Sequence, residues 1–285
     1  YDEALEKLDL WFCKSPPEEV TSAAFVLQAS IYARKQDYTG ALQAIDRAIS
    51  MDGDPKESWY QLKLAAHYEL EQFPRATDTL EIMIARWPGR KNYWTQLSRI
   101  CFRLEQEDRA LAVQALAYRN GLLDQQADLL YLSSLYSHSQ VPYKAADVLQ
   151  AGIESGVVEA SKAHWTVVAE SWYAAEELEK SLLAYERAGK AADDGDIDLR
   201  RGYILVDMER WPDALGSLDR ALQKGGLDER QTAEVYLLRG ITQFNLGNFE
   251  KAGSDWARAS QNDKIREAAR QWINHLEEER RRRAS

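Results

Sequence analysis

The sequence is poor in the two residues that most often interrupt helices. Glycine occurs 15 times and proline 7 times in 285 residues, so turns must be short and few. This scarcity argues against a sandwich or barrel of short strands, whose many turns need such residues. The stretches between the turns are rich in alanine, leucine, glutamate, arginine and glutamine, which form helices readily. We therefore predict an all-α protein.

An excess of positive charge and long apolar runs are also missing. The formal net charge is −10 and the pI is near 5.1, whereas a nucleic-acid binder needs a basic face to displace counterions from phosphates. No apolar run approaches the roughly 20 residues of a membrane-spanning helix. The one basic run, residues 280–283, follows Glu277-Glu278-Glu279 and is interpreted as cations at the negative end of a helix. We predict no nucleic-acid partner and no membrane insertion by this segment.

The residue patterns of catalytic and metal sites are absent as well. Cys13 and Cys101 lie far apart, and we expect two buried thiols rather than a disulfide or a metal site. There is no glycine-rich phosphate loop, no GxSxG elbow and no HExxH spacing. The histidines are scattered along the chain as His67, His138, His164 and His275. We predict no catalytic residue, no metal and no cofactor, and hence a protein that is not an enzyme.

What the sequence does contain is a repeat. A small residue recurs every 33 to 38 residues, as Ala4, Ala41, Ala76, Ala110, Ala145, Ser181, Ala214 and Ala252. Four residues after each comes a mostly large one: Leu8, Ile45, Leu80, Gln114, Leu149, Tyr185, Leu218 and Trp256. Seven residues after each stand Trp11, Ala48, Met83, Ala117, Gly152, Ala188, Ala221 and Ala259. Small residues let two helices cross closely, and bulky ones fill the space beside the crossing.

Two copies show the whole pattern: Phe25…Ala29…Tyr32…Ala41…Ile45…Ala48 and Tyr236…Gly240…Ala252…Trp256…Ala259. The pattern resembles that of the tetratricopeptide-repeat family. The resemblance implies a right-handed superhelical solenoid of helix-turn-helix repeats. We expect Pro74 and Pro212 just inside second helices, where a missing N–H is tolerated, and a left-handed turn residue at Gly247-Asn248. Four tryptophans at signature positions should be core: Trp59, Trp94, Trp165 and Trp172.

The repeat frame sets the predicted organisation of the chain. Residues 1–21 should be the second helix of a truncated repeat with a linker, so we expect further sequence upstream, including any targeting segment. Residues 264–285 should form a capping helix with a basic tail, because their apolar residues follow the helical period. Between them we predict seven repeats at about 22–56, 57–90, 91–125, 126–161, 162–194, 195–232 and 233–263.

The resemblance also implies a binding surface, because the first helix of each repeat lines the concave face in this family. The predicted partner-binding residues are Arg34, Tyr68, Glu69, Asn92, Arg99, Phe102, Arg103, Tyr131, Tyr173, Tyr203, Phe244 and Asn245. Aromatic residues interleaved with arginine and asparagine are typical of protein-binding hot spots. Arg99 and Arg103 could grip a carboxylate or pair with Glu69. Tyr68 and Phe102 could contact a ligand or pack between neighbouring repeats.

One way in which members of this family bind their partners is excluded by the residues at the groove positions. Repeats that clamp the acidic C-terminus of cytosolic chaperones use Lys and Asn at fixed groove positions, which here hold Ser30, Ala65, Arg99 and Ser134.

The order of the repeats is similar to that of bacterial repeat proteins associated with TonB–ExbB–ExbD energy-transducing systems. The similar stretches are Tyr93–Leu97, Ala110–Val113, Ala117–Leu123, Tyr143–Ala146, Asp193–Gly195, Trp211, Ala221–Gly226 and Trp272–Arg281. This resemblance implies a periplasmic, non-catalytic scaffold whose partners are TonB, ExbB or ExbD, or a TonB-dependent receptor.

Three other functions stay open at this point. The protein could be a generic assembly factor or co-chaperone for an envelope or secretion complex. Its groove could hold its own upstream segment. A glycan-processing enzyme would require a catalytic domain outside these residues.

Overall fold

The protein is helical along its length. The computed structural model describes residues 1–190 and 192–284, without the side chains of residues 283 and 284. Within these residues there are sixteen α-helices, one turn of 3₁₀ helix and no strand. The predicted all-α repeat fold is confirmed.

The chain divides into two compact units, residues 1–124 and 125–285. In the first unit each helix from α2 onward packs against its neighbours in the chain, and α1 packs on α2. Its helices are α1 (Asp2–Lys14), α2 (Ser22–Arg34), α3 (Tyr38–Met51), α4 (Glu57–Glu69), α5 (Phe73–Arg86), α6 (Lys91–Arg103) and α7 (Glu107–Arg119). The 3₁₀ turn Pro17–Glu19 joins α1 to α2.

The second unit continues the same alternation of first and second helices. Its helices are α8 (Gln126–His138), α9 (Pro142–Glu154), α10 (Lys162–Ala174), α11 (Leu178–Gly189), α12 (Asp196–Asp207), α13 (Trp211–Lys224), α14 (Glu229–Asn245), α15 (Phe249–Ala259) and α16 (Arg266–Ala284). The hairpins α8–α9, α10–α11, α12–α13 and α14–α15 each pack tightly, and α16 packs on α15 and α14.

The periodic small residues lie where the helices of each hairpin cross. In all seven second helices from α3 to α15 the small residue is the fourth of the helix and is fully buried, as Ala41 and Ala252 are. The residue four positions later is also buried in every one of these helices. The first copy differs: Ala4 and Trp11 are exposed, because α1 meets α2 through Phe12, which stacks on Phe25 at 4.6 Å.

Three hairpins add a hydrogen bond at the crossing point. The hydroxyls of Ser98 and Ser133 donate to the carbonyls of Ala110 and Ala145, and Ser181 donates in the reverse direction to Ala169. The partners are 12 residues apart in every case, with oxygen–oxygen distances of 2.8 to 3.0 Å. A buried hydroxyl is costly unless it is hydrogen-bonded, so these contacts let serine replace alanine at a dry crossing.

Each hairpin turns on one residue in the left-handed region, five positions before the small residue. Six of these residues are not glycine: Gln36, Glu71, Glu105, Gln140, Glu176 and Glu209, and the seventh is Gly247. The N–H of Gly247 donates to the carbonyl of Phe244, and that of Asn248 to Gln243. Equivalent pairs occur in the other six turns, so all seven are Schellman motifs. The prediction for Gly247 is confirmed.

The last predicted repeat differs from the structure at its start. The predicted boundary at 232–233 is wrong, because α14 already begins at Glu229. Asp228 caps this helix: its carboxylate accepts from the N–H of Gln231, whose side chain accepts from the N–H of Asp228. This reciprocal capping box fixes the helix start earlier than the repeat spacing indicates.

Most of the residues that the sequence predicts to be in the core are buried. Trp59, Trp94 and Cys101 are buried as expected, and in the second unit so are Trp165 and Trp172. The prediction that Cys13 is buried is wrong, since its side chain is exposed. Cys13 follows Phe12 on α1, so it points about 100° around the helix from the ring that packs on α2.

Helix α16 packs on the last hairpin of the second unit. Ala269 and Leu276 are buried against α15, and Trp272 stacks on Trp256 with ring centroids 5.4 Å apart. In the basic run, Arg280 pairs with Glu250 of α15 at 2.7 Å. The side chain of Arg283 and residue Ser285 lie outside the described residues.

Replacing Gln114 with leucine is expected to stabilise the first unit. Gln114 is fully buried, and neither its side-chain nitrogen nor its oxygen has a hydrogen-bond partner. The other second helices place a leucine, isoleucine, tyrosine or tryptophan at this position. Because an unpaired buried amide costs about 1–3 kcal/mol, Gln114→Leu should raise the free energy of unfolding by a similar amount in urea denaturation. A loss of stability would mean that the amide is satisfied.

Candidate functional site

The predicted binding residues all lie on first helices. In the first unit Arg34 is on α2, Tyr68 and Glu69 are on α4, and α6 carries the other four: Asn92, Arg99, Phe102 and Arg103. In the second unit Tyr131 is on α8, Tyr173 on α10, Tyr203 on α12, and Phe244 and Asn245 on α14.

Three of these residues line one groove in the first unit. Helices α4 and α6 enclose a space of about 860 Å³ whose walls include Tyr68, Glu69 and Asn92. The remaining lining residues come from the same two helices and from the segment just before α6: Glu57, Gln61, Leu64, Ala65, Gly89, Arg90, Lys91, Tyr93 and Gln96. The groove therefore lies between the first helices of two successive repeats.

A hydrogen-bond network fixes one end of this groove. The carboxylate of Glu57 accepts from the hydroxyl of Tyr93 and from Nε and Nη2 of Arg90, at 3.1 and 3.2 Å. Gln61 in turn donates to the Tyr93 hydroxyl at 2.9 Å. The Tyr93 hydrogen bond holds the pKa of Glu57 below its ordinary value, and Arg90 adds to this effect. Glu57 is thus a fixed anion that joins α4 to α6.

An aromatic and cationic stack adjoins the groove at Tyr68. The Arg103 guanidinium lies 4.1 Å from the centroid of the Phe73 ring, and Phe73 meets Tyr68 edge-on at 6.0 Å. Burial raises the pKa of Tyr68, against an opposing effect of Arg103 and Arg99. Tyr68 therefore packs on Phe73 of its own hairpin and also lines the groove.

The wall that α6 contributes to the groove carries two neutral amides. Asn92 is exposed and Gln96 half-buried, and both belong to the groove wall. A side-chain amide offers donors and an acceptor, which suits the alternating N–H and C=O groups of a polypeptide backbone. Gln61 and Gln96 were not among the residues predicted from the sequence. Each lies seven residues before Tyr68 or Arg103, on the same face of its helix, so the helical period could have found them.

In the second unit two predicted tyrosines connect successive first helices. The Tyr173 hydroxyl donates to Asp207 of α12 at 3.3 Å, and the Asp207 charge, together with burial, raises the pKa of Tyr173. Burial and Glu234 of α14 raise the pKa of Tyr203 to about 12. Both residues are about two fifths exposed, at 45% and 39%, so each ties two helices together and is still partly open to solvent.

The predicted residues of α14 lie next to the cap. Phe244 is half-buried in a cluster with Phe249, Trp256, Trp272 and His275, with centroids 5.2 to 6.2 Å from its own. Its ring therefore holds α16 in place. Asn245 is exposed and donates to the carbonyl of Ile241, its own helix neighbour, at 2.9 Å.

The remaining predicted residues are distributed over separate helices. Arg34 is exposed at the last turn of α2, Phe102 is exposed on α6 and Tyr131 is half-buried on α8. Across the part of the chain that the structure describes, no group of three or more His, Cys, Asp or Glu side chains is placed to hold a metal ion. Nor does any helix among the described residues have the length and apolar character needed to cross a membrane.

Comparison with known proteins supports the repeat assignment in two segments. Residues 22–55 and residues 199–271 each match a family model described as tetratricopeptide repeat. A comparison with curated protein sequences found no match.

Solved structures with a similar fold include two that align well. The structure of Naa15/Naa10 bound to HypK-THB aligns at a TM-score of 0.67 with 12% identity, over 90% of this chain and 39% of that one. YrrB, described as a TPR protein with an unusual peptide-binding site, aligns at 0.51 with 15% identity, over 70% of this chain and all of that one. A tetratricopeptide repeat protein from Parabacteroides merdae covers 90% of this chain and 98% of its own, at 14% identity and a TM-score of 0.42.

The hairpins between the two matched segments have the same buried small residue and the same left-handed turn as the hairpins within them. Residues 22–55 and 199–271 are therefore similar to tetratricopeptide repeats, and the hairpins between them have the same helical fold.

Proposed function

We propose that this protein is a non-catalytic scaffold that binds an extended segment of a partner protein between α4 and α6. The observation that carries this proposal is the groove of about 860 Å³, whose wall combines the neutral amides of Asn92 and Gln96 with the fixed anion Glu57 and the side chain of Tyr68. Amides and an aromatic face bind a peptide through its backbone and one side chain. The peptide-binding site named for YrrB, a structure of similar fold, is consistent with this proposal.

The groove proposal predicts a specific loss of binding. Asn92→Ala combined with Gln96→Ala removes the amide groups without touching the Glu57 network, so co-purification of partner proteins should fall at least several-fold. The measurement is quantitative mass spectrometry of proteins captured from envelope extract by the full chain. Ile82→Ala is the matched control, because Ile82 is exposed on the second helix α5. Loss of the same partners with Ile82→Ala, but not with the amide variant, would place recognition on the other helices.

In its finer form the proposal is a periplasmic scaffold of a TonB–ExbB–ExbD system, on the basis of the stretches such as Tyr143–Ala146 given above. The groove would then hold a segment of a Ton component or of a TonB-dependent receptor. The alternative is a generic assembly factor or co-chaperone for an envelope or secretion complex. Capture experiments in which no Ton component is ever enriched, while other envelope proteins are, would favour this alternative and leave the groove proposal intact.

A further inference from the structure

A second cleft lies in the other unit, on a different set of helices. It has a volume of about 500 Å³ and runs between the second helices α11 and α13, with α12 contributing Arg201 and Leu205. Its apolar part includes Leu182 and Leu205, which are buried, and Leu183, which is 61% exposed. No residue predicted from the sequence belongs to this cleft.

Arg201 is the unusual group in the cleft. Its Nε atom is buried without a hydrogen-bond partner, and within the described residues none of its nitrogens makes a hydrogen bond or an ion pair. Burial and the nearby Arg220 guanidinium lower the pKa of Arg201. A desolvated guanidinium without a carboxylate is costly. A carboxylate that reached Arg201 would therefore bind favourably.

The next repeat shows what that acceptor looks like. Arg239 occupies the position of Arg201, each lying one residue before the small residue of its first helix, Gly240 or Gly202. The fork of Arg239 donates to Asp255 at 2.9 and 2.6 Å. The residue that corresponds to Asp255 is Ser217, third after the small residue of its own second helix, and its hydroxyl donates to the carbonyl of Asp198. One repeat therefore carries the arginine without its carboxylate.

The other charges around the cleft are engaged or exposed. Arg210 pairs with Asp213 at 2.6 Å, and Arg220 pairs with the buried Asp198 at 3.1 Å. Glu179 and Glu186 also line the cleft, both exposed. Glu186 acts on Arg201 only through its charge, without a hydrogen bond.

We propose that this cleft binds an acidic residue of a partner peptide, whose carboxylate takes at Arg201 the place that Asp255 takes at Arg239. An aliphatic side chain next to the acidic residue packs on Leu183. A planar guanidinium in a desolvated wall recognises a carboxylate through paired hydrogen bonds, and a neutral amide of the same shape replaces it poorly. This surface is separate from the α4–α6 groove, so it adds a second contact to the proposed scaffold and does not depend on the first.

The test uses two peptides that differ by one group. Ac-Leu-Asp-Leu-NH₂ and Ac-Leu-Asn-Leu-NH₂ are titrated into the ¹⁵N-labelled full chain while the arginine Nε–H resonances are followed, with that of Arg201 assigned by its absence in Arg201→Leu. We expect a saturable shift of the Arg201 resonance with the aspartyl peptide. Binding of the asparaginyl peptide should be about fivefold weaker, because a hydrogen bond to a charged group is worth roughly 1 kcal/mol more than a neutral one.

The variants separate a specific site from general attraction. Arg201→Leu should abolish the aspartyl response at the neighbouring backbone amides, whereas Arg210→Leu removes a cation of the same cleft and should leave it unchanged. Equal binding of the two peptides, or an equal loss in both variants, would overturn the proposal. The difference in affinity between the two peptides is measured on the unaltered protein, whether or not Arg201→Leu folds.

Discussion

Arg239→Ala is expected to cost about 3–5 kcal/mol of folding free energy, because it leaves a buried carboxylate without its counterion. Arg239 and Asp255 have side chains that are only 20% and 4% exposed. Arg239 donates two hydrogen bonds to Asp255, and hydrogen bonding to Asp255 is the main cause of the raised pKa of Arg239. Urea denaturation of the full chain, followed by circular dichroism, measures the loss in the second unit.

Two further variants show whether the buried charge is the cause. Asp219 also accepts from Arg239, at 3.0 Å, but its side chain is 55% exposed, so Asp219→Asn should change stability by less than about 1 kcal/mol. The double variant Arg239→Met with Asp255→Leu removes both charges and should recover most of the loss. If the double variant is as unstable as Arg239→Ala, then shape at this position matters more than charge.

Gly240→Ala is expected to destabilise the last repeat by about 1–3 kcal/mol through overpacking, and Gly240→Leu by more. A Cβ atom at this position would lie 2.3 Å from Nε1 and 2.5 Å from Cδ1 of Trp256. The indole cannot easily retreat, since it is fully buried, stacked on Trp272 and hydrogen-bonded to the carbonyl of Leu237. The measurement is the urea midpoint of each variant at constant m-value.

The control for this prediction is another helical glycine, one with room beside it. At Gly216 of α13 the nearest atom to an added Cβ is Nη1 of Arg220, at 3.7 Å. Gly216→Ala should therefore stabilise the protein by up to about 1 kcal/mol, because alanine is the better helix former. A stabilising Gly240→Ala would show that α14 and α15 do not cross at this residue.

The helix crossings could be predicted from the sequence because only a small side chain fits where two helices cross closely. Ala41 on a second helix and Gly240 on a first helix each stand at a position that is small in most of the other repeats too. Nothing larger fits there between the helices of a hairpin. The turns were harder to predict. Six of the seven left-handed residues are glutamate or glutamine, such as Glu71 and Gln140. The hydrogen bonds of the Schellman motif, not a glycine, hold them in that conformation.

The site could be predicted only in part, because its contacts join residues that periodicity does not relate. The first helices were identified correctly, and Tyr68, Glu69 and Asn92 do line one groove. The Glu57–Tyr93 hydrogen bond joins residues 36 positions apart and depends on how two repeats stack. Phe244 fits the aromatic pattern of the groove positions, but α16 brings Trp272 and His275 against it.

Photocrosslinking tests most directly whether the first helices α4 and α6 form the recognition surface. Benzoylphenylalanine is placed in turn at position 92, in the wall of the groove, and at position 82, on the exposed face of α5. In the native cell, we predict that the probe at position 92 forms a crosslink to a partner protein that excess unlabelled chain competes away, and that the probe at position 82 does not. A competable crosslink at position 82 with none at position 92 would contradict the account.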